Sequence, residues 1–183
     1  MTLRSDVAEL LAGAGILDVD VEDALADEHV RSSAYQRVVE VTAASPVRDR
    51  DRDRAIVAMI VRDPHQMGAR SAVVALVDRM ARKAGGPAEF RLWSDGLVPE
   101  FDRLTSEKDR EFVRNRCVDW LFCLSVEDGH VPQTAELARV TDWMQRLLAE
   151  VSTSRAVLDL LAESGRTKKT RNIATNRAIS RRP

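Results

Sequence analysis

The chain has 183 residues, of which 44% are hydrophobic and 31% charged, and its formal net charge is −1. That balance is typical of a globular protein and excludes a disordered polyelectrolyte, while the near-zero charge points to no particular partner. No apolar run approaches the roughly 20 residues a bilayer crossing needs, and no charged-then-apolar signal segment opens the chain, so the expectation is a cytoplasmic protein without a membrane partner. Aromatic residues make up only 4%. The core must then be built from Ala, Val, Leu, Ile and Met, side chains that suit closely packed helices better than sheets.

Taken in chain order, the predicted elements are all helical. Ser5–Ala14 carries Val7, Leu10, Leu11 and Ala14 at helical spacing and ends near Gly13 or Gly15. An acidic piece, Asp20–Glu28, follows, then Ser32–Ala44 with Tyr35, Val38, Val39 and Thr42 on one stripe before Pro46. Arg48–Val61 opens with an alternating Asp/Arg run at Asp49–Arg54, expected to be a solvated, self-paired first turn. Asp63–Pro64 starts a helix through Met67, Val73, Leu76, Val77 and Met80 that stops at Gly85–Gly86. Phe90, Leu92 and Trp93 occupy a short segment, and Leu97–Leu104 is expected to be a connection broken by Pro99. The longest helix runs from Thr105–Lys108 to Asp128–Gly129. Its two cysteines, Cys117 and Cys123, lie six apart on one helix, cannot bridge each other there, and are expected to be buried thiols. Pro132–Val151 is expected to be one helix whose buried stripe includes Trp143 and Leu147, and Ser154–Ala162 and Thr167–Ser180 complete the set. The fold expected is all-α, an irregular multi-helix bundle or helical-repeat stack of about eight or nine helices, forming a single domain over residues 1–183 with a basic C-terminal helix or tail at 166–183.

A search for reactive chemistry finds little. His29, His65 and His130 share no metal-ligand spacing with each other or with a cysteine, and neither a phosphate-cradling glycine loop nor a Gly-x-Ser-x-Gly elbow is present. The expectation is therefore no enzyme, no cofactor and no metal, with Trp93, Trp120 and Trp143 serving as core or helix-contact residues.

Charge is more informative. Residues 1–30 hold eight acids against Arg4 alone, a balance of −7, whereas 166–183 hold Arg166, Lys168, Lys169, Arg171, Arg177, Arg181 and Arg182 and no acid, a balance of +7. The tail is expected to be an electrostatic contact, meeting the acidic head, an acidic protein surface or phosphate, rather than part of the core. Within it, a helix, a turn at Gly165 and a polar basic helix can be written as a helix-turn-helix. The candidate residues for nucleic acid or an acidic partner are Arg166, Lys168, Lys169, Arg171, Asn172, Asn176 and Arg177.

The stretch from Ser45–Pro46–Val47–Arg48 to Arg54–Ala55–Ile56–Val57 resembles the second helix of HEAT or armadillo-type repeats. Related fragments recur at Ala69–Leu76 and Lys169–Ala174, without a constant period. The resemblance implies a curved stack of helix pairs used as a binding surface rather than a catalyst. The leading reading is a non-enzymatic protein-interaction module or adaptor, binding another protein or a second copy. Nucleic-acid binding through the C-terminal helix is the alternative, and a helical-bundle enzyme with an unrecognised site a third.

Overall fold

The computed structural model describes residues 2–46 and 49–180 and is all-α: twelve helices and no strand are found among them. In order they are α1 Leu3–Gly13, α2 Val21–Ala26, α3 Glu28–Ala44, α4 Arg50–Ile60, α5 Gln66–Lys83, α6 Pro87–Asp95, α7 Val98–Phe101, α8 Glu107–Glu127, α9 Thr134–Leu137, α10 Asp142–Val151, α11 Arg155–Ser164 and α12 Lys168–Ser180. Among the described residues no helix is long and apolar enough to cross a membrane. Val47 and Arg48 of the repeat-like stretch, and Arg181 and Arg182 of the basic tail, lie outside the described residues.

The chain divides into two compact units, one within Met1–Ala84 and Glu89–Arg116, the other within Gly85–Ala88 and Cys117–Pro183. In the first, α3 and α5 pack along their lengths, and Ala34, Val38 and Val39 are buried on one helix as Ala69, Ala72, Val73 and Leu76 are on the other. Small and β-branched side chains at these positions let the two helix axes approach closely. Helix α1 lies against α2, α3 and α4. It ends where Gly15 takes φ +66°, so that Gly15 N donates to Ala12 O and Ile16 N to Leu11 O, a Schellman stop only glycine adopts without strain. Gly129, at φ +98°, ends α8 in the same way, with His130 N donating to Ser125 O.

Two expected elements differ. Leu97–Leu104 is not an open connection: it folds into α7, with Pro99 in its first turn, where a missing N–H costs nothing, and Leu97, Phe101 and Leu104 are fully buried. Pro132–Val151 is not one helix either. The side chain and backbone of Thr141 donate to the buried Asp119 carboxylate at 2.5 and 2.9 Å, and Thr141 then caps α10 by accepting from Met144 N. The chain breaks there into α9 and α10, and these short pieces account for the higher helix count.

In the second unit α12 packs on both α10 and α11. On α10 Met144 and Leu148 are buried, whereas Leu147, expected on the buried stripe, is only partly so and Trp143 is 36% exposed, its ring edge-on to Trp120 at 5.9 Å. Leu148→Ala is therefore expected to cost about 2–5 kcal/mol in chemical denaturation, and Trp143→Ala clearly less, because a half-exposed ring leaves no closed cavity. Equal losses for the two variants would contradict this assignment of the buried face.

Candidate functional site

The seven basic and amide residues singled out near the C-terminus separate into two groups. The arginines are held at helix ends. Arg166 donates from Nη2 to Ala138 O and Val140 O and from Nη1 to Asp142, Arg171 donates to Gly165 O at 2.6 Å, and Arg177 donates to Ala149 O at 3.0 Å. Carbonyls at helix C-termini lack intrahelical partners and carry partial negative charge, so they are suited to receive the guanidinium groups of Arg166, Arg171 and Arg177. The acidic head is balanced inside the first unit by pairs of Asp6 with Arg62, Asp18 with Arg37 and Glu22 with Arg4. The hydrogen bonds from Arg37 hold the Asp18 carboxyl below its ordinary range.

The expectation that the tail stands apart from the core is thereby corrected. Thr170, Ala174 and Ala178, spaced four residues apart on one face of α12, are 1%, 0% and 5% exposed. Small side chains in that row allow close packing on α10 and α11, which hydropathy alone does not reveal because alanine and threonine carry little apolar weight. Lys168, Lys169, Asn172 and Asn176 are the second group. All four are exposed, and among the described residues their side chains make no hydrogen bond or ion pair.

Several buried ionisable groups join helices. Asp63, 1% exposed, accepts from Arg31 Nε at 2.6 Å, Tyr35 OH at 2.7 Å and His65 N at 2.7 Å. Burial and the hydrogen bond to this carboxylate push the Tyr35 phenol far above its ordinary range. Asp53, expected on a solvated turn, is 1% exposed and accepts from the Trp93 indole N–H at 3.0 Å. Burial pushes the Glu100 carboxyl up, but hydrogen bonds from Arg103 and Arg54, both at 2.8 Å, outweigh it and hold the group below its usual value. His65 lies 3.6 Å from Glu28 and His130 3.1 Å from Glu136, and no cluster of three or more His, Cys, Asp or Glu that could hold a metal occurs among the described residues. Cys117 and Cys123 are buried and form no disulfide.

The largely apolar surface that sequence reasoning missed is a groove of about 500 Å³ where α1, the C-terminal half of α3, and α4 meet. Leu10, Ala14, Val41, Ala55, Ile56 and Met59 line it, with Glu9 and Arg52 also on its walls. Val41 is 44% exposed, and Ala55 lies open to solvent. Ala55 and Ile56 belong to the fragment that resembles a HEAT-type helix, but the pairing of three helices that makes the groove has no signature in a single sequence. A smaller apolar crevice of about 230 Å³ lies in the same unit beside Phe90, Leu92 and Trp93.

Comparison with protein-family models, curated protein sequences and solved structures found no match to the chain.

Proposed function

We propose that the chain is a non-enzymatic interaction module that seats an amphipathic helix of a partner protein in the groove between α1, α3 and α4. The observation that carries this reading is the groove itself: a concave, mainly apolar strip with Val41 and Ala55 open to solvent and a charge of each sign, Glu9 and Arg52, on its walls. A helix with apolar residues at i, i+3, i+4 and i+7 buries its stripe in such a groove while its flanking charged side chains meet the walls. The buried carboxylates at Asp6, Asp53, Asp63 and Glu100 support the same reading, because each is paired with cations or hydrogen-bond donors that join helices. A binding surface of this kind is also what the resemblance to HEAT and armadillo-type repeats implies.

The test is selection of helical peptides from a display library on the full chain, followed by affinity measurements on Val41→Asp and Ala55→Arg. Both positions are exposed, so the variants should fold as the wild type does. Recovered peptides are expected to carry the i, i+3, i+4, i+7 apolar pattern and to lose at least about tenfold in affinity to each variant, the equivalent of roughly 1.4 kcal/mol. Peptides that bind both variants as well as wild type, or a groove closed by a second copy of the chain in sedimentation, would overturn it.

A further inference from the structure

The solvent face of α12 is not used by the groove and has a different chemistry. We infer that α11, the turn at Gly165–Thr167 and α12 form a helix-turn-helix that places α12 in the major groove of duplex DNA.

The turn is short and fixed. A Cβ on Gly165 would lie 2.5 Å from Leu161 O, so only glycine fits there. Gln145, 1% exposed on α10, accepts from Arg166 N at 2.8 Å and donates to Leu137 O at 2.9 Å, which ties the turn to α10. Thr167 caps the start of α12 by accepting from Thr170 N, and Arg171 reaches back to Gly165 O. Helix α12 is therefore fixed by packing on α10 and α11, as a readout helix requires.

What α12 presents is free of acid. No Asp or Glu occurs from residue 166 onward, and the exposed row of α12 is Lys168, Asn172 and Asn176, four residues apart, with Lys169 and Thr175 beside it. The charge is complementary to phosphate. The residue types also divide by role, because lysine contacts phosphates as a point charge while asparagine pairs in bidentate fashion with N6 and N7 of adenine. A helix about 10–12 Å across enters the roughly 12 Å major groove of B-form DNA, whereas the deep, narrow major groove of A-form RNA excludes it. Lys168 and Lys169 are thus assigned to phosphates, and Asn172 and Asn176 to base edges.

The experiment uses the full chain and a labelled random-sequence duplex of about 20 base pairs, roughly two helical turns, followed by fluorescence anisotropy across a salt series. Two doubly substituted variants, Lys168→Ala with Lys169→Ala and Asn172→Ala with Asn176→Ala, change exposed residues only, and circular dichroism checks their fold. Wild-type affinity is expected to fall linearly in log–log form with salt. The lysine variant should weaken binding and reduce the slope by about two, and the asparagine variant should keep the slope while losing the sequence enrichment that wild type produces from the pool. Absence of duplex binding at about 50 mM salt, tighter binding to single strands or to A-form RNA, an unchanged slope in the lysine variant, or enrichment unaltered by the asparagine changes would each overturn the inference.

Discussion

Replacing Asp63 by alanine is expected to destabilise the protein by about 3–5 kcal/mol, more than any substitution of a surface acid. The cause is what stays behind. Arg31, whose side chain is 7% exposed, gives two nitrogens to this carboxylate, at 2.6 and 3.4 Å, and its remaining bonds go to the Ala24 and Leu25 carbonyls. Without Asp63 a guanidinium charge is buried with no counter-ion, and the Tyr35 hydroxyl and His65 amide lose their acceptor as well. An unpaired buried charge costs far more than the net gain of the intact pair, because the desolvation penalty is then uncompensated. Asp63→Asn should fall between, keeping one acceptor oxygen but not the charge. Glu111→Ala, at an exposed site on α8, should lie within about 0.5 kcal/mol of wild type and serves as the control. Urea unfolding of the three variants checks this, and a loss below about 1 kcal/mol for Asp63→Ala would contradict the network.

Removal of residues 166–183 is the second large effect, and it is expected to unfold α10 and α11 rather than leave a trimmed but intact protein. Helix α12 packs on both of them, and Val157, Leu158 and Leu161 of α11 and Leu148 of α10 are at most 1% exposed. Uncovering a leucine or valine costs about 1.5–3 kcal/mol each, and a domain's whole stability is about 5–15 kcal/mol, so losing part of this cover is enough to collapse the packing of α10 on α11. The truncation also takes the Arg166 donors from Gln145, Ala138 and Val140. Amide exchange in α10 and α11 is expected to lose its protection in the shortened chain. Retained protection there would mean that the tail is an appendage after all.

The parts of this architecture that were legible in the sequence are those set by local chemistry. Gly15 and Gly129 mark helix ends because only a glycine takes a positive φ at such a stop, and the periodicity of Tyr35, Val38, Val39 and Thr42 gives the buried side of α3. What was not legible depends on distant partners. Thr141 ends one predicted helix and starts another because Asp119, 22 residues earlier in the chain, accepts both its hydroxyl and its amide. Asp53 shares a helical row with Val57 and Ile60, a hint that it points inward, but the Trp93 indole that stabilises it there lies 40 residues away. The candidate tail was found by its charge, and its lysines and asparagines, Lys168, Lys169, Asn172 and Asn176, are exposed on α12. Arg166, Arg171 and Arg177 went instead to carbonyls that composition cannot display. The groove escaped entirely, since Leu10, Val41 and Ile56 each read as ordinary apolar positions of separate helices.

The measurement that bears most directly on the proposed role is a two-dimensional 15N–1H titration of the full chain with a peptide recovered in the display selection. Shift changes and broadening are expected to cluster at Leu10, Ala14, Val41, Ala55, Ile56 and Met59, the lining of the groove, while Lys168–Ser180 stays unperturbed. Perturbations centred on α12, or spread evenly without a maximum at the groove, would contradict a module that holds its partner between α1, α3 and α4.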